Sequence, residues 1–221
     1  MRITTRTMLV VAACLVPFAI SSAVLGQSRS SKPATYITKE EIDIVNKQPG
    51  GDRQIKVVDI GHENFAVGVV HRGATGAAAR GAGGGGGGAA RANTPAPEPC
   101  GEKSATPPPA GTPNGLTHDH QTEGYYIVSG GGKMVTGGRI VNGRRSAPDS
   151  AVTRELNGPS CSGPVIGPDM VTRDVKAGDI IIIPPNTVHG WVTIPDHVDY
   201  LSFRPSTGVL TAGYVHPAIK K

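Results

Sequence analysis

From Gly115 onward the chain never sustains a helical period. Apolar residues come in short runs, and Gly, Pro, Asn and Asp break the runs before any helix could complete its turns. Many short strands with frequent turns pack as a sandwich or a barrel. The expected strands are Tyr125–Ser129, Lys133–Thr136, Met170–Val175, Asp179–Ile183, Val188–Ile194 and Val198–Arg204. Four consecutive isoleucines, Ile180 to Ile183, suggest a strand covered on both faces.

The first half of the chain adds less. "TKEE" at Thr38–Glu41 is a capping box, in which Thr38 caps a short helix and Glu41 reaches back. Two strands follow, over Gln54–Ile60 and Asn64–Arg72. Residues 73–115 then lose all periodicity, with six glycines at Gly83–Gly88 and the Pro-rich "PAPEP" and "PPP". Such chain buries too little apolar area to offset its ordering, so this stretch reads as a disordered low-complexity insert. A linker between domains is the alternative, but what precedes it is too small for a core of its own. The 221 residues therefore make one domain over 27–221.

Residues 1–26 read as a secretory signal peptide. Arg2 and Arg6 precede an apolar run from Met8 to Ile20, and small residues lead to Gly26. The alternative, a membrane anchor, needs about 20 apolar residues, more than this run supplies. "VAAC" at Val11–Cys14 looks like a lipoprotein box, yet the apolar stretch continues past Cys14. Export implies a periplasmic or secreted protein with no stable membrane span after cleavage. Losing two arginines brings the net charge from +5 to near +3. With no basic cluster interleaved with aromatics, nucleic acid is not an expected partner. Cys100 and Cys161 survive cleavage, and an oxidising compartment permits a bond between them without requiring it.

Chemistry concentrates in two stretches. "HDHQTEGYYIVSGGG", His118 to Gly132, places His118 and His120 on one strand face by period two, with Glu123 just beyond. "GDIIIIPPNTVHGW", Gly178 to Trp191, has a Gly-Asp turn, a strand, a Pro-Pro-Asn turn and His189. Neutral imidazoles with a carboxylate suit Fe, Mn, Ni, Cu or Zn.

Together these stretches resemble the two motifs of the cupin superfamily: His118, His120, Glu123 and Gly130 in the first, Gly178, Pro184, Asn186 and His189 in the second. Two positions depart from the pattern. Only two residues separate His120 from Glu123, which makes Glu123 the weakest ligand of the set, with Gln121 as its fallback neighbour. Asn186 stands where the family has glycine, and Asn tolerates the left-handed backbone.

The resemblance implies an all-β fold, the double-stranded β-helix or jelly-roll barrel. It implies one divalent transition metal held by His118, His120, Glu123 and His189, with Glu123 as ligand or catalytic base. It also implies dioxygenase-like oxidation, or isomerase or lyase chemistry, on a small molecule. A non-catalytic exported binder of a small ligand or metal is the alternative, and homodimers occur in such families. Tyr125, His71 and Trp191 are candidates to line the pocket. Arg72 and Arg204 are candidates to anchor a substrate carboxylate, although both lie at strand ends where arginines are commonly solvated. His62, His197 and His216 read as solvated.

Overall fold

The computed structural model describes residues 33–75, 98–207 and 209–220, and the signal peptide expected over residues 1–26 lies outside them. One helix, α1 (Lys39–Asn46), precedes twelve strands. In chain order these are β1 (Asp52–Asp59), β2 (Asn64–Gly73), β3 (Pro99–Cys100), β4 (Asn114–His118), β5 (Glu123–Thr136) and β6 (Arg139–Ile140). They continue as β7 (Gly143–Arg145), β8 (Ser160–Ile166), β9 (Val171–Lys176), β10 (Ile180–Ile183), β11 (His189–Thr193) and β12 (His197–Ser206). A π-helical turn, Val152–Asn157, lies between β7 and β8. Every strand pair is antiparallel. The helix starts as its sequence requires: Thr38 accepts from the Glu41 backbone and the Glu41 side chain accepts from the Thr38 backbone.

β5 organises the fold because it belongs to both sheets. Its first half pairs with β12 and β10, and its second half pairs with β9 and β11. The two strands expected over 125–129 and 133–136 are thus one strand, continuous through Gly130–Gly132. Glycine makes the crossing possible. Gly130 has a φ of 65°, and a Cβ there would fall on the carbonyl oxygen of His197. A Cβ at Gly131 would meet the carbonyl oxygen of Val175. Three backbones meet at this corner, and a side chain has no room between them.

The first sheet runs β1-β2-β12-β5 with β10 beyond β5, and the second runs from β5 through β11, β4, β8 and β7 to β3. Inward residues of both build the main core, which includes Val70, Tyr125, Ile127, Met134, Ile194 and Tyr200. β12 shows the period-two rule cleanly: Val198, Tyr200, Ser202, Arg204 and Ser206 are buried, and the residues between them are not.

Two expectations need correction. The isoleucine strand β10 is covered on one face only: Ile183 is buried, but Ile180 and Ile182 are 71% and 74% exposed. It pairs with β5 alone and lies at a sheet edge. The insert also has structure over 98–113. There β3 pairs with β7, Glu102 bonds the backbones of Ile140 and Asn142, and Cys100 is joined to Cys161 on β8. A covalent tie and backbone bonds hold this segment without an apolar core of its own.

The disulfide closes a 61-residue separation. Loop-closure entropy puts its contribution at about 4 kcal/mol. The Cys100→Ser, Cys161→Ser double variant is therefore expected to lose about that much unfolding free energy in an equilibrium urea titration, with a lower midpoint and a steeper slope, because its unfolded chain is less compact.

Candidate metal centre

Three buried polar residues meet where three strands begin or end. His118 closes β4, Glu123 opens β5 and His189 opens β11. They are 2%, 2% and 1% exposed, and one ligand atom from each lies within 4.8 Å of the others. Among the described residues they form the one group of His, Cys, Asp or Glu with this geometry. Local backbone structure brings them together. Asn186 adopts the left-handed conformation, with φ 62°, and its N–H donates to the His118 carbonyl at 2.8 Å. The turn before His189 is thereby fastened to the end of β4.

Each imidazole is oriented from behind. His118 Nδ1 lies 2.8 Å from the Asn157 carbonyl oxygen, and His189 Nδ1 lies 3.0 Å from that of Thr187. A carbonyl can only accept, so both Nδ1 atoms carry the proton and both Nε2 atoms point inward. His118 Nε2 is 3.0 Å and His189 Nε2 3.2 Å from Glu123 Oε2. His189 Nε2 makes no hydrogen bond there and is a buried polar atom without a partner. Two nitrogen lone pairs and a carboxylate oxygen cannot share such a space unless each ring takes a second proton or a cation lies between them. The donor set, two imidazoles and one carboxylate, fits a divalent transition metal.

Glu123 is held from the other side as well. Its Oε1 accepts from Ser202 Oγ and Arg204 Nε, both at 2.8 Å, and its Oε2 accepts from Tyr125 OH at 2.9 Å. Burial alone would raise this carboxyl. The charge of Arg204 and the contacts with His118 and His189 outweigh burial and hold it well below the ordinary carboxylate range. Burial and the neighbouring Glu123 charge push the Tyr125 hydroxyl well above its ordinary value, so it remains a donor. Arg204 is 1% exposed and also pairs with Asp52 at 2.7 Å and with Gln54 at 3.2 Å.

The structure does not bring His120 to this group. Strand β4 ends at His118, and Asp119 and His120 form the bend into β5, so the period-two alternation stops before His120 and leaves it exposed. The same early bend lets Glu123 reach the centre despite its short spacing. Gln121 is 1% exposed, donates to the Leu156 carbonyl at 3.3 Å and has no partner for its Oε1.

Of the pocket candidates, Tyr125 contacts Glu123 directly. Trp191 packs against the main core, with its ring 6.3 Å from that of Tyr200. His71 faces outward, with its side chain 53% exposed and 2.7 Å from Asp199; it stands on the face of β2 opposite Val70 and lines no interior pocket. Arg204, expected at a solvated strand end, is instead a buried partner of Glu123. Asp52, Gln54 and Ser202 carried no motif signal, because their roles come from pairing across the sheet.

No protein-family model matches the sequence, and no curated protein does. Solved structures do match. An uncharacterized conserved protein with a double-stranded β-helix domain from Klebsiella pneumoniae aligns over 80% of this chain and 94% of its own, at 14% identity and a TM-score of 0.34. A cupin protein from Bacteroides fragilis aligns over 71% and 78%, at 13% identity and a TM-score of 0.28. An oxalate oxidase aligns over 91% and 70%, at 13% identity and a TM-score of 0.30. Antiparallel strands bring His118, Glu123 and His189 together, and the two motifs that carry these residues resemble those of the cupin superfamily.

Proposed function

We propose that this chain is an exported metal-dependent enzyme acting on a small organic molecule with an acidic group, by dioxygenase-like oxidation or by isomerase or lyase chemistry. The unpartnered Nε2 of His189, facing His118 and Glu123, is the observation that carries the reading. His118, Glu123 and His189 would hold the metal. A divalent transition metal bound there supplies Lewis acidity toward a substrate oxygen and, where it is redox-active, a place for O2. Three protein ligands leave coordination positions open for such chemistry.

The chain's own groups do the rest. Ser202, Arg204 and Tyr125 fix the Glu123 carboxylate before any ligand arrives. Arg72 and Arg204 differ in what they can offer. Arg204 is neutralised by Glu123 and Asp52. Arg72 is half-buried on the same face of β2 as Val70 and bonds the neutral Tyr200 hydroxyl at 3.3 Å. Among the described residues it has no carboxylate within ion-pair distance, so Arg72 is the group suited to a substrate anion. The Cys100–Cys161 bond supports export, since such bonds persist in oxidising compartments.

The rival reading is a non-catalytic binding protein, which the near-complete burial of all three ligands favours. Metal analysis followed by oxygen uptake on a panel of small organic acids separates the two. The enzyme reading expects about one metal per chain, uptake or substrate turnover that chelation abolishes, and Arg72→Met raising KM roughly 10–100-fold with kcat little changed. Bound metal without turnover of any acid in the panel supports the binder.

A further inference from the structure

The π-helical turn Val152–Asn157 is stitched to the segment that carries His118. The last carbonyls of a helical turn find no partner inside it. Here side chains take two consecutive ones. The Leu156 carbonyl accepts from Gln121 Nε2 at 3.3 Å, and the Asn157 carbonyl accepts from His118 Nδ1 at 2.8 Å. Gly158 ends the turn with φ 62°, and the chain continues beside the same segment. The Pro159 carbonyl accepts from the Asp119 N–H at 2.9 Å, and Ser160 of β8 pairs with His118 of β4. A π-helical turn re-aims backbone carbonyls that a regular helix would keep in line, and such turns recur at functional sites.

Gln121 stands on the inner side of the sheet. Gln121, Glu123 and Tyr125 are buried, and Thr122 and Gly124 between them are half-buried. The Gln121 amide makes the one bond to Leu156, and its Oε1 has no partner among the described residues. A buried amide so poorly satisfied costs stability that a methionine of similar size would not. Space-filling therefore does not account for glutamine here; what the amide adds is its hold on the Leu156 carbonyl.

We propose that Gln121 is a positioning residue for His118. Its amide holds the Leu156–Asn157 end of the turn. The Asn157 carbonyl, fixed there, keeps the His118 Nδ1–H bonded and turns Nε2 toward Glu123 and His189. Gln121 acts through the backbone and is not a ligand. This rests on the metal reading only for its consequence, because the orientation of His118 belongs to the metal-free chain. Partners that orient a ligand ring in this way set metal affinity.

Proton and nitrogen NMR of the imidazoles in chelated protein, followed by zinc titration, tests it. In the wild type, His118 and His189 are both expected to show a hydrogen-bonded Nδ1–H. In Gln121→Met the His118 Nδ1–H is expected to exchange with solvent about 10-fold faster. The His189 Nδ1–H, held by the Thr187 carbonyl, is expected to stay as it is. Zinc affinity is expected to fall about 10-fold in the same variant. Gln121→Asn keeps an amide but is one methylene short of Leu156, and the same change is expected there; it carries the test if Gln121→Met does not fold. A His118 signal that neither variant alters overturns the proposal. So does a wild-type His118 without a bonded Nδ1–H. Weakened zinc binding with the His118 signal unchanged also overturns it and makes Gln121 a ligand. Faster His118 exchange in the variants of a chain that binds no zinc upholds the positioning and defeats the metal reading, so the two fail separately.

Discussion

Replacing Arg204 with Met is expected to destabilise the metal-free protein by about 3–5 kcal/mol. The substitution keeps most of the volume and removes the charge that buried Glu123 and half-buried Asp52 share. Glu123 and Asp52 would be left without the Nε contact at 2.8 Å and the Nη2 contact at 2.7 Å. The pH dependence fixes the cause. In the wild type the Glu123 carboxyl is held below its usual value of 4.5, so its stabilisation is complete above that value and is lost as pH falls through the lowered folded value. In the variant, burial acts without the compensating arginine and favours the protonated form. The deficit between variant and wild type is therefore largest near neutral pH and narrows on acidification. Urea titrations of chelated protein across the acid range measure this. A deficit that does not change with pH would mean that Arg204 acts by packing alone. Bound metal should also narrow the gap, because a cation beside Oε2 replaces part of the charge that Arg204 supplied.

The second large effect is on metal affinity, and it is graded by position. His118→Ala, His189→Ala and Glu123→Gln each remove a donor from the group of three. Tyr125→Phe removes only the 2.9 Å bond that orients Glu123 Oε2. Loss of such an orienting partner weakens metal binding about 10–100-fold, and loss of a ligand weakens it further. His120→Ala is expected to change nothing, since His120 is exposed and outside the group. Competition with a chromophoric chelator gives the order. Equal losses for His120→Ala and His118→Ala would contradict the assignment.

The contrast between these histidines shows where sequence reading reaches and where it stops. Alternation along a strand puts His118 and His120 on one face, and of the two His118 is buried. It fails two residues later because β4 ends there, and strand ends depend on what the next segment pairs with. His189 was legible because the turn before it has its own chemistry, with Asn186 taking the left-handed backbone that the motif needs. The capping box of α1 and the spans of β1, β2, β9 and β12 were legible for the same reason: local pattern and local structure agree.

Other features were set by distant partners. Arg204 looks like a solvated strand end until Asp52, at the opposite end of the described chain, is laid beside it. Three glycines in a row read as a break, yet they let one strand serve two sheets. β8 was not anticipated, because Gly163 and Pro164 interrupt its pattern; its pairing with β4 holds it in the sheet. The four isoleucines of β10 look like a covered strand because composition reports apolarity and not what lies against it.

On the proposed reading, His118, Glu123 and His189 hold one metal ion without His120. An anomalous difference map from crystals of the metal-loaded protein checks this. One strong peak is expected, bonded to Nε2 of His118, Nε2 of His189 and the Glu123 carboxylate. A peak that includes His120 among its ligands, or no peak between these three residues in protein that binds metal in solution, would contradict it.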